Sequence, residues 1–195
     1  MLTQKKSFDQ LPIIGYNAVM TDVKTVRRSC FMKIRDLVLG ALLTALALMI
    51  PLAFGGFLGV TIPPFSATLA SHVPVMLAMT VNPLVAFVVG AGSAFGFLIK
   101  LGPVIGARAF MHTIFAVIGA ILIKKGYGLR NALFLTLPIH AVSEALIVIP
   151  FGFSLYKAGV VIGIGTALHH GVDAIITLAV YGLLTASAGF TLRKN

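Results

Sequence analysis

The sequence predicts an all-α integral membrane protein with six transmembrane helices and both termini in the cytoplasm. The first of three observations behind this prediction is composition: of 195 residues, 58% are hydrophobic and only 10% are charged. Soluble domains average about 25% charged residues, so this chain has too few charges to cover a soluble surface. Its hydrophobic content also excludes a disordered chain. An ordinary cytosolic enzyme is therefore ruled out.

The second observation is the length of the apolar runs, which begin at Leu37 and are interrupted by Gly, Pro and charge clusters. A helix that crosses a membrane needs about 20 mostly apolar residues. The second and third runs are short and meet at Asn82-Pro83, a typical turn signal. A count of four or five helices, with 66–99 as one re-entrant hairpin, therefore stays open. The predicted spans are residues 37–54, 66–80, 84–99, 103–124, 130–153 and 159–186.

The third observation is the distribution of Lys and Arg. With an even number of helices both termini lie on one side of the membrane, and that side carries twelve of these residues against two on the other. Because cytoplasmic loops are enriched in Lys and Arg, we expect both termini in the cytoplasm. The same asymmetry accounts for the net charge of +10 without nucleic acid as a partner.

The first 31 residues are polar and basic. They lack the apolar core and the small-residue cleavage site of a signal peptide. We expect residues 1–31 to be a disordered cytoplasmic extension, or a stretch upstream of the true start, and residues 32–195 to be a single membrane domain. The only cysteine, Cys30, excludes an intramolecular disulfide framework and a multi-cysteine metal site.

Ionisable residues inside the predicted spans are few, and they collect between the outer half and the middle of the membrane. On a helix, residues four apart share a face, and ionisable groups in lipid are costly enough to suggest function by default. The pattern therefore predicts a polar cavity, open to the outside, that binds a small water-soluble ligand. The ionisable residues are His72 on the second span and the pairs Arg108/His112, His140/Glu144 and His169/Asp173 on the last three, and the polar Ser71 lies beside His72.

Each of these groups also has a structural interpretation. Arg108 can extend to the outer headgroups, or it can pair with Glu144 and hold the fourth and fifth helices together. A single histidine can be satisfied by a backbone carbonyl. His169 and His170 are adjacent, so at most one faces the cavity, and His169 is the nearest partner in sequence for Asp173.

The same residues allow two other classes of function. Imidazoles with carboxylates suit divalent ions, so a small intramembrane metalloenzyme using His140, Glu144, His169 and Asp173 is one alternative. The other is a stand-alone carrier in which such groups relay protons. The sequence has no H-E-x-x-H, no G-x-S-x-G and no phosphate-binding loop. We therefore expect no catalysis, no cofactor and no resident metal.

Two further segments suggest surfaces for partners and ligand. Ala41 and Ala45 are four apart on the first span, and small residues at this spacing allow helices to approach closely in lipid. The segment 55–65 is apolar but too rich in Gly and Pro to be helical. It lies above the polar cluster, either as a lid or as a simple connection.

Six stretches carry a resemblance to a known family. The chain resembles the substrate-binding S-components of energy-coupling factor (ECF) vitamin transporters, most closely the niacin-type S-components, over about residues 32–187. The stretches are Ala41-x-x-x-Ala45, 62–74 (IPPFSATLASHVP), Gly96-Phe97, 108–112 (RAFMH), His140-x-x-x-Glu144 and 165–173 (GTALHHGVD).

The resemblance implies a multi-pass protein of a bacterial plasma membrane that binds a vitamin from outside for ATP-driven uptake. It implies docking through Ala41 and Ala45 onto a membrane coupling subunit that carries two ATPases. Niacin is the best match, and another B-vitamin or precursor is the alternative. The ligand-binding residues that follow are Arg108, His112, His72, Ser71, His140, Glu144, His169, Phe57 and Phe65.

Nicotinate, the anion of niacin, is a carboxylate on a flat aromatic ring. Arg108 offers the planar fork that binds a carboxylate through two nitrogens. His112 or His72 can bond the carboxylate or the ring nitrogen, and Phe57 or Phe65 can cover the ring. If Glu144 holds Arg108 instead, the site is closer to neutral and an uncharged ligand such as nicotinamide fits better.

Overall fold

A computed structural model describes residues 32–54, 58–62 and 65–188 of the chain. The extension predicted at residues 1–31 lies outside these ranges, as does the candidate ligand residue Phe57. The helices are α1 (Ile34–Met49), α2 (Val73–Ala78), α3 (Pro83–Leu101), α4 (Pro103–Lys124), α5 (Leu129–Ile147) and α6 (Ile164–Ala188). A short hairpin of β1 (Gly59–Ile62) and β2 (Phe65–Thr68) lies between α1 and α2, and π-helical turns at Ile50–Phe54 and Lys157–Gly163 extend α1 and precede α6.

Five helical stretches of the described residues are long and apolar enough to cross a membrane. This confirms the predicted class, a helical membrane protein that passes through the bilayer several times. The stretches are Ile34–Phe54, Pro83–Leu101, Pro103–Lys124, Leu129–Phe151 and Lys157–Ser187.

The second predicted span, 66–80, is not one continuous helix. It consists of β2, a turn and the six-residue α2. The turn contains Ala70, whose φ of +65° is incompatible with a right-handed helix. The backbone N–H groups of Ala70 and His72 donate to the carboxylate of Asp173 instead of to carbonyls of a helix. A polar group from another element thus replaces local helical hydrogen bonds here.

The segment from β2 to α3 nevertheless leads back to the beginning of α1. At its end, Asn82 caps α3 by accepting a hydrogen bond from the N–H of Val85 at 2.9 Å. The side-chain amide of Asn82 donates to Asp36, in the first turn of α1, at 3.3 Å. The hairpin follows the C-terminal end of α1, whereas Asn82 lies at the N-terminal end of α1. The segment between them therefore runs back along that helix.

The apolar segment after α1 contains the hairpin rather than an irregular loop. β1 and β2 are antiparallel, with Gly59 opposite Thr68 and Ile62 opposite Phe65. All four residues of β1 are exposed, whereas β2 is half-buried. The prediction that this segment is not helical is correct for its described residues, but the strand pairing was not foreseen.

One side of α1 packs closely on α3. A Cβ on Gly92 of α3 would lie 2.5 Å from Cγ2 of Thr44, and one on Gly96 would lie 3.2 Å from Cδ2 of Leu48. The glycines therefore let the two backbones approach. Ala41 and Ala45 are exposed and lie at the border of this contact, because Leu48 follows Ala41 by two helical turns.

Helices α3 and α4 pack closely against each other. They are joined at Gly102, whose φ of +86° favours glycine. A Cβ on Gly90 would lie 2.8 Å from Cα of Thr113, and one on Gly106 would lie 2.8 Å from Cβ of Leu98. This close packing carries Arg108 and His112 into the interior, where both are buried.

Candidate functional site

Polar side chains from α4, α5, α6 and the turn before α2 converge on one buried region. Such groups are stable inside a protein only when they are paired, and the contacts described below pair most of them. His169 is slightly more accessible, with 12% of its side chain exposed. The buried members are Ser71, His72, Arg108, His112, His140, Glu144, Thr166, His170 and Asp173.

Glu144 is the first centre of this network, and its two oxygens have different partners. Oε2 accepts from Nε and Nη2 of Arg108 at 2.9 and 2.7 Å, and from the hydroxyl of Thr166 at 2.8 Å. Oε1 lies 3.1 Å from Nε2 of His140 and 3.4 Å from Nε2 of His112. The ion pair between Arg108 and Glu144 that the sequence allowed is therefore present.

One end of the Arg108 guanidinium contacts the hairpin. Its Nη1 donates to the backbone carbonyl of Ser66 at 3.4 Å, and its Cζ lies 5.5 Å from the centroid of the Phe65 ring, within the range of a cation–π contact. Phe65 in turn packs on Gly165, where a Cβ would lie 2.7 Å from its Cδ2. Glycine at position 165 thus lets β2 lie close to α6.

Asp173 is the second centre. Its carboxylate accepts from the N–H of Ala70 at 2.8 Å and from the N–H of His72 at 3.0 Å. It also lies 2.9 Å from Nδ1 of His72 and 3.2 Å from Nε2 of His169. The sequence predicted the proximity of His169 and Asp173, but the backbone and imidazole contacts to the second span were not foreseen.

The histidines form a contiguous group. Nε2 of His72 lies 3.0 Å from Nε2 of His112, and Nδ1 of His140 lies 3.0 Å from Nδ1 of His170. His170 reaches away from the pocket, with Nε2 3.1 Å from the carbonyl of Leu133. His169 faces the opposite way, with Nε2 3.1 Å from the carbonyl of Thr68. Only one of the two adjacent histidines faces the pocket, as their spacing predicts.

A small pocket, with a cavity volume of about 30 Å³, opens beside this network. Of the predicted ligand residues, Ser71, Arg108, His112, Glu144 and His169 line it. His72 and His140 lie behind its wall, and Phe65 lines a neighbouring apolar groove between the hairpin and α6. The full lining is Ser66, Ala67, Thr68, Ser71, Phe97, Ile105, Arg108, Ala109, His112, Glu144 and His169.

Several members of the site were missed by sequence reasoning. Thr166 was detectable because it shares a helix face with His170 and Asp173 at spacings of four and three residues. Ser66 contributes its backbone carbonyl, which no side-chain pattern reveals. Thr68 and Phe97 line the pocket through the hairpin and α3, elements whose relation to α4 is a matter of tertiary packing.

A helical membrane protein with a small, buried polar pocket roofed by a hairpin has the architecture of a ligand-binding transport protein. A search of curated proteins found the niacin transporter NiaX of Lactococcus lactis subsp. cremoris (strain MG1363), which is 33% identical over 170 residues, 78% of this chain and 76% of that protein. The chain belongs to the family of this transporter, that of the niacin-type S-components. It is a multi-pass membrane transport protein and not an enzyme. No family model and no solved structure matches it.

Proposed function

We propose that this protein is the vitamin-binding subunit of an ECF-type ABC transporter and that it captures niacin in an outward-facing pocket for ATP-driven uptake. The observation that carries the proposal is the pocket between Arg108, His112, Ser71 and His169, which combines a cation, imidazoles and a hydroxyl at one buried place. The name of the relative NiaX supports niacin as the ligand.

The residues that line the pocket suit a flat ring with one polar substituent, and the hairpin would move outward to admit it, because the cavity itself is about 30 Å³. Phe97, Ile105 and Ala109 provide apolar surface for the ring, and polar groups at the opposite wall can fix its orientation. The Nε edge of Arg108 is held by Glu144, so the Nη1 end is the part that can meet a carboxylate. This arrangement favours a single-nitrogen contact over the two-nitrogen grip expected from the sequence.

The Arg108–Glu144 pair favours a second candidate ligand, nicotinamide. A guanidinium whose charge is already balanced by a carboxylate gains less from a second anion. An uncharged amide could occupy the same position and exchange hydrogen bonds with Ser71, His112 or His169. Both ligands share the ring, and they differ only in the charge that the site must accept.

We propose that the chain crosses the membrane six times with both termini in the cytoplasm. Asn82 donates to Asp36 at the start of α1, which supports β2, the turn and α2 together as the second crossing. An even number of crossings then agrees with the concentration of Lys and Arg at the termini and in the α4–α5 connection.

We propose the hairpin as the lid of the pocket and α1 as the docking helix. Ser66, Ala67 and Thr68 of β2 form part of the pocket wall, so movement of the hairpin would open or close it and exclude water. Ala41 and Ala45 are exposed, which supports close approach of a coupling subunit with its two ATPases.

Calorimetric titration of the purified protein with nicotinate, nicotinamide and pyridoxine tests the ligand. Saturable binding of nicotinate supports the proposal, and binding of nicotinamide alone selects the neutral candidate. Absence of binding to both pyridine compounds would refute it. Uptake by membrane vesicles with and without the coupling module tests the transport role, because accumulation driven by a proton gradient in vesicles that contain this protein alone would show a stand-alone carrier.

A further inference from the structure

We infer that His72, His112, His140 and Glu144 form a binding site for one divalent transition-metal ion of the zinc class, at the inner wall of the pocket. Each residue offers one donor atom, and these four atoms lie within 4.8 Å of one another. All four side chains are buried. The site shares His112 with the proposed vitamin contacts and Glu144 with the pocket lining, whereas His72 and His140 belong to the metal site alone.

Three of the six separations between the donor atoms are close to those around a tetrahedral ion, and small shifts of the side chains would complete the geometry. Zinc binds imidazole nitrogen and carboxylate oxygen at about 2.0–2.2 Å, and the edges of such a tetrahedron measure about 3.3–3.5 Å. Three of the observed donor separations are 3.0 Å (His72 Nε2 to His112 Nε2), 3.1 Å (His140 Nε2 to Glu144 Oε1) and 3.4 Å (His112 Nε2 to Glu144 Oε1). All three imidazoles present the same nitrogen, Nε2.

The positions of the imidazole protons show why a cation belongs between these atoms. A carbonyl only accepts, so His170 donates from Nε2 to Leu133, and a neutral His170 then has its lone pair at Nδ1. His140 donates from Nδ1 to that lone pair. A neutral His140 consequently turns the lone pair of Nε2 toward Oε1 of Glu144 at 3.1 Å. Two lone pairs repel at this distance, whereas a metal ion between them accepts both.

In His72, as in His140, the proton lies on Nδ1 and the lone pair lies on Nε2. Nδ1 of His72 lies 2.9 Å from a carboxylate oxygen of Asp173, although without the geometry of a hydrogen bond, and a negative oxygen this close favours the proton on that nitrogen. The lone pair of Nε2 therefore points at His112 and at the centre of the four donors. A carboxylate or carbonyl behind a histidine is the usual support of a metal ligand. The Asp173 carboxylate lies behind His72, and an imidazole, that of His170, takes this place behind His140. Arg108 with Thr166 holds the second oxygen of Glu144, whereas Nδ1 of His112 has no hydrogen-bond partner.

The neighbouring trio of His72, His169 and Asp173 also brings donor atoms together, but its hydrogen bonds leave no room for an ion. The Asp173 oxygens already accept from two backbone N–H groups. Nε2 of His169 faces the carbonyl of Thr68 at 3.1 Å, so it carries a proton and cannot coordinate. His169 is therefore a matched control for the four proposed ligands.

The ion would also change the charge that the pocket presents to a ligand, a consequence that rests on the proposed function. Arg108, Glu144 and Asp173 together carry a formal charge of −1, which disfavours a buried anion. A divalent ion brings the sum to +1, and bound nicotinate would then bring it to zero. Metal loading thus favours the anion over nicotinamide.

Metal content, measured on vitamin-free protein, tests the site without reference to the vitamin. The protein is purified with a tag that contains no histidine, depleted with a chelator, incubated with zinc and desalted. We expect about one zinc per chain, as for a protein site with all ligands in place, and a higher melting temperature with zinc than without. His140→Ala and His112→Gln should lose both effects, whereas His169→Gln should keep them.

Equal zinc content in wild type and both ligand variants, or equal loss in His169→Gln, would overturn the site. So would a wild-type protein that retains no zinc, since an additional proton on His140 would then fill the same role. Replacement of zinc by cobalt(II) gives a second readout, the visible spectrum of four-coordinate cobalt, which loosely bound ions do not produce. Nicotinate affinity that is unchanged after depletion would refute only the coupling between ion and anion.

Discussion

The polar centre and the helix α1 differ in how they are held in the molecule. In α4, which contributes Arg108 and His112, ten residues are buried, whereas in α1 only Gly40 and Ala47 are. Each charged group of the centre has partners from another element. The face of α1 that includes Ala41 and Ala45 is exposed. One region is therefore specified by internal contacts, and the other is available for external ones.

This contrast indicates that capture of the ligand and coupling to transport are separable. Substitutions in the polar centre should change affinity and stability together, because the same contacts serve both. Substitutions on the exposed face of α1 should change neither, because no side chain of the centre depends on them.

The largest effect is expected from Ala41→Leu combined with Ala45→Leu. Larger side chains on the exposed face would prevent close approach of a partner helix, so vitamin uptake by cells should be abolished while affinity for the vitamin stays the same. The matched control is Ala179→Leu with Ala186→Leu on the exposed side of α6. Uptake that survives the change in α1, or fails equally in the control, would contradict the docking role.

Next in size is Arg108→Ala, which leaves Glu144 buried without its cation. Loss of one partner of a buried pair costs about 3–5 kcal/mol, and ligand affinity should fall at least about tenfold. Arg108→Lys, which keeps the charge but not the planar fork, should fold well and still bind more weakly. Thermal unfolding and calorimetry measure both effects. Arg130→Ala, an exposed residue of α5, is the control, and unchanged affinity in a folded Arg108→Lys protein would remove Arg108 from the site.

A smaller effect is expected from Gly165→Ala. The new Cβ would lie 2.7 Å from Phe65 Cδ2, so the ring and β2 must shift, at a cost of about 1–3 kcal/mol. Because β2 lines the pocket, affinity should fall several-fold in the same calorimetric titration. Gly159→Ala, where a Cβ has open space, should have no effect. Affinity equal to wild type in Gly165→Ala would indicate that the hairpin does not shape the pocket.

The smallest effect is expected from Ala70→Gly. Alanine at a φ of +65° carries a backbone strain of about 1–2 kcal/mol, and glycine removes it at a partly offsetting entropic cost. The free energy of unfolding should therefore rise slightly, by about 1 kcal/mol or less. A clear loss of stability would show that the methyl group of Ala70 makes a packing contribution larger than the strain.

Much of the fold followed from local pattern. Apolar run lengths predicted the positions of α1 and of α3 to α6, because a membrane imposes one length on every helix. The conformation of the segment before α3 could not be predicted in this way, because its turn at Ala70 is held by Asp173, which is about 100 residues away in sequence. A rule based on hydrophobic length cannot distinguish a helix from a strand and turn of similar composition.

Part of the site could also be predicted from local pattern. Spacings of four residues placed Arg108 with His112 and His140 with Glu144 on common faces, and the depth of these pairs brought them to one level. Glu144 contacts a guanidinium with one oxygen and two imidazoles with the other. These partners depend on how α4, α5 and α6 are rotated relative to one another, which the sequence pattern does not give. Pattern along a chain specifies which residues face inward, but distances between helices specify which of them meet.

The hydrogen bonds from Ala70 and His72 to Asp173 also constrain the biosynthesis of the protein. Backbone N–H groups without partners cost several kcal/mol in the hydrocarbon region, and the carboxylate that satisfies these two belongs to α6, about 100 residues later in the chain. If the segment is the second crossing, as proposed above, it would remain at the aqueous interface or bind another partner until α6 has entered the bilayer. An early part of the chain would then be completed only by a much later one.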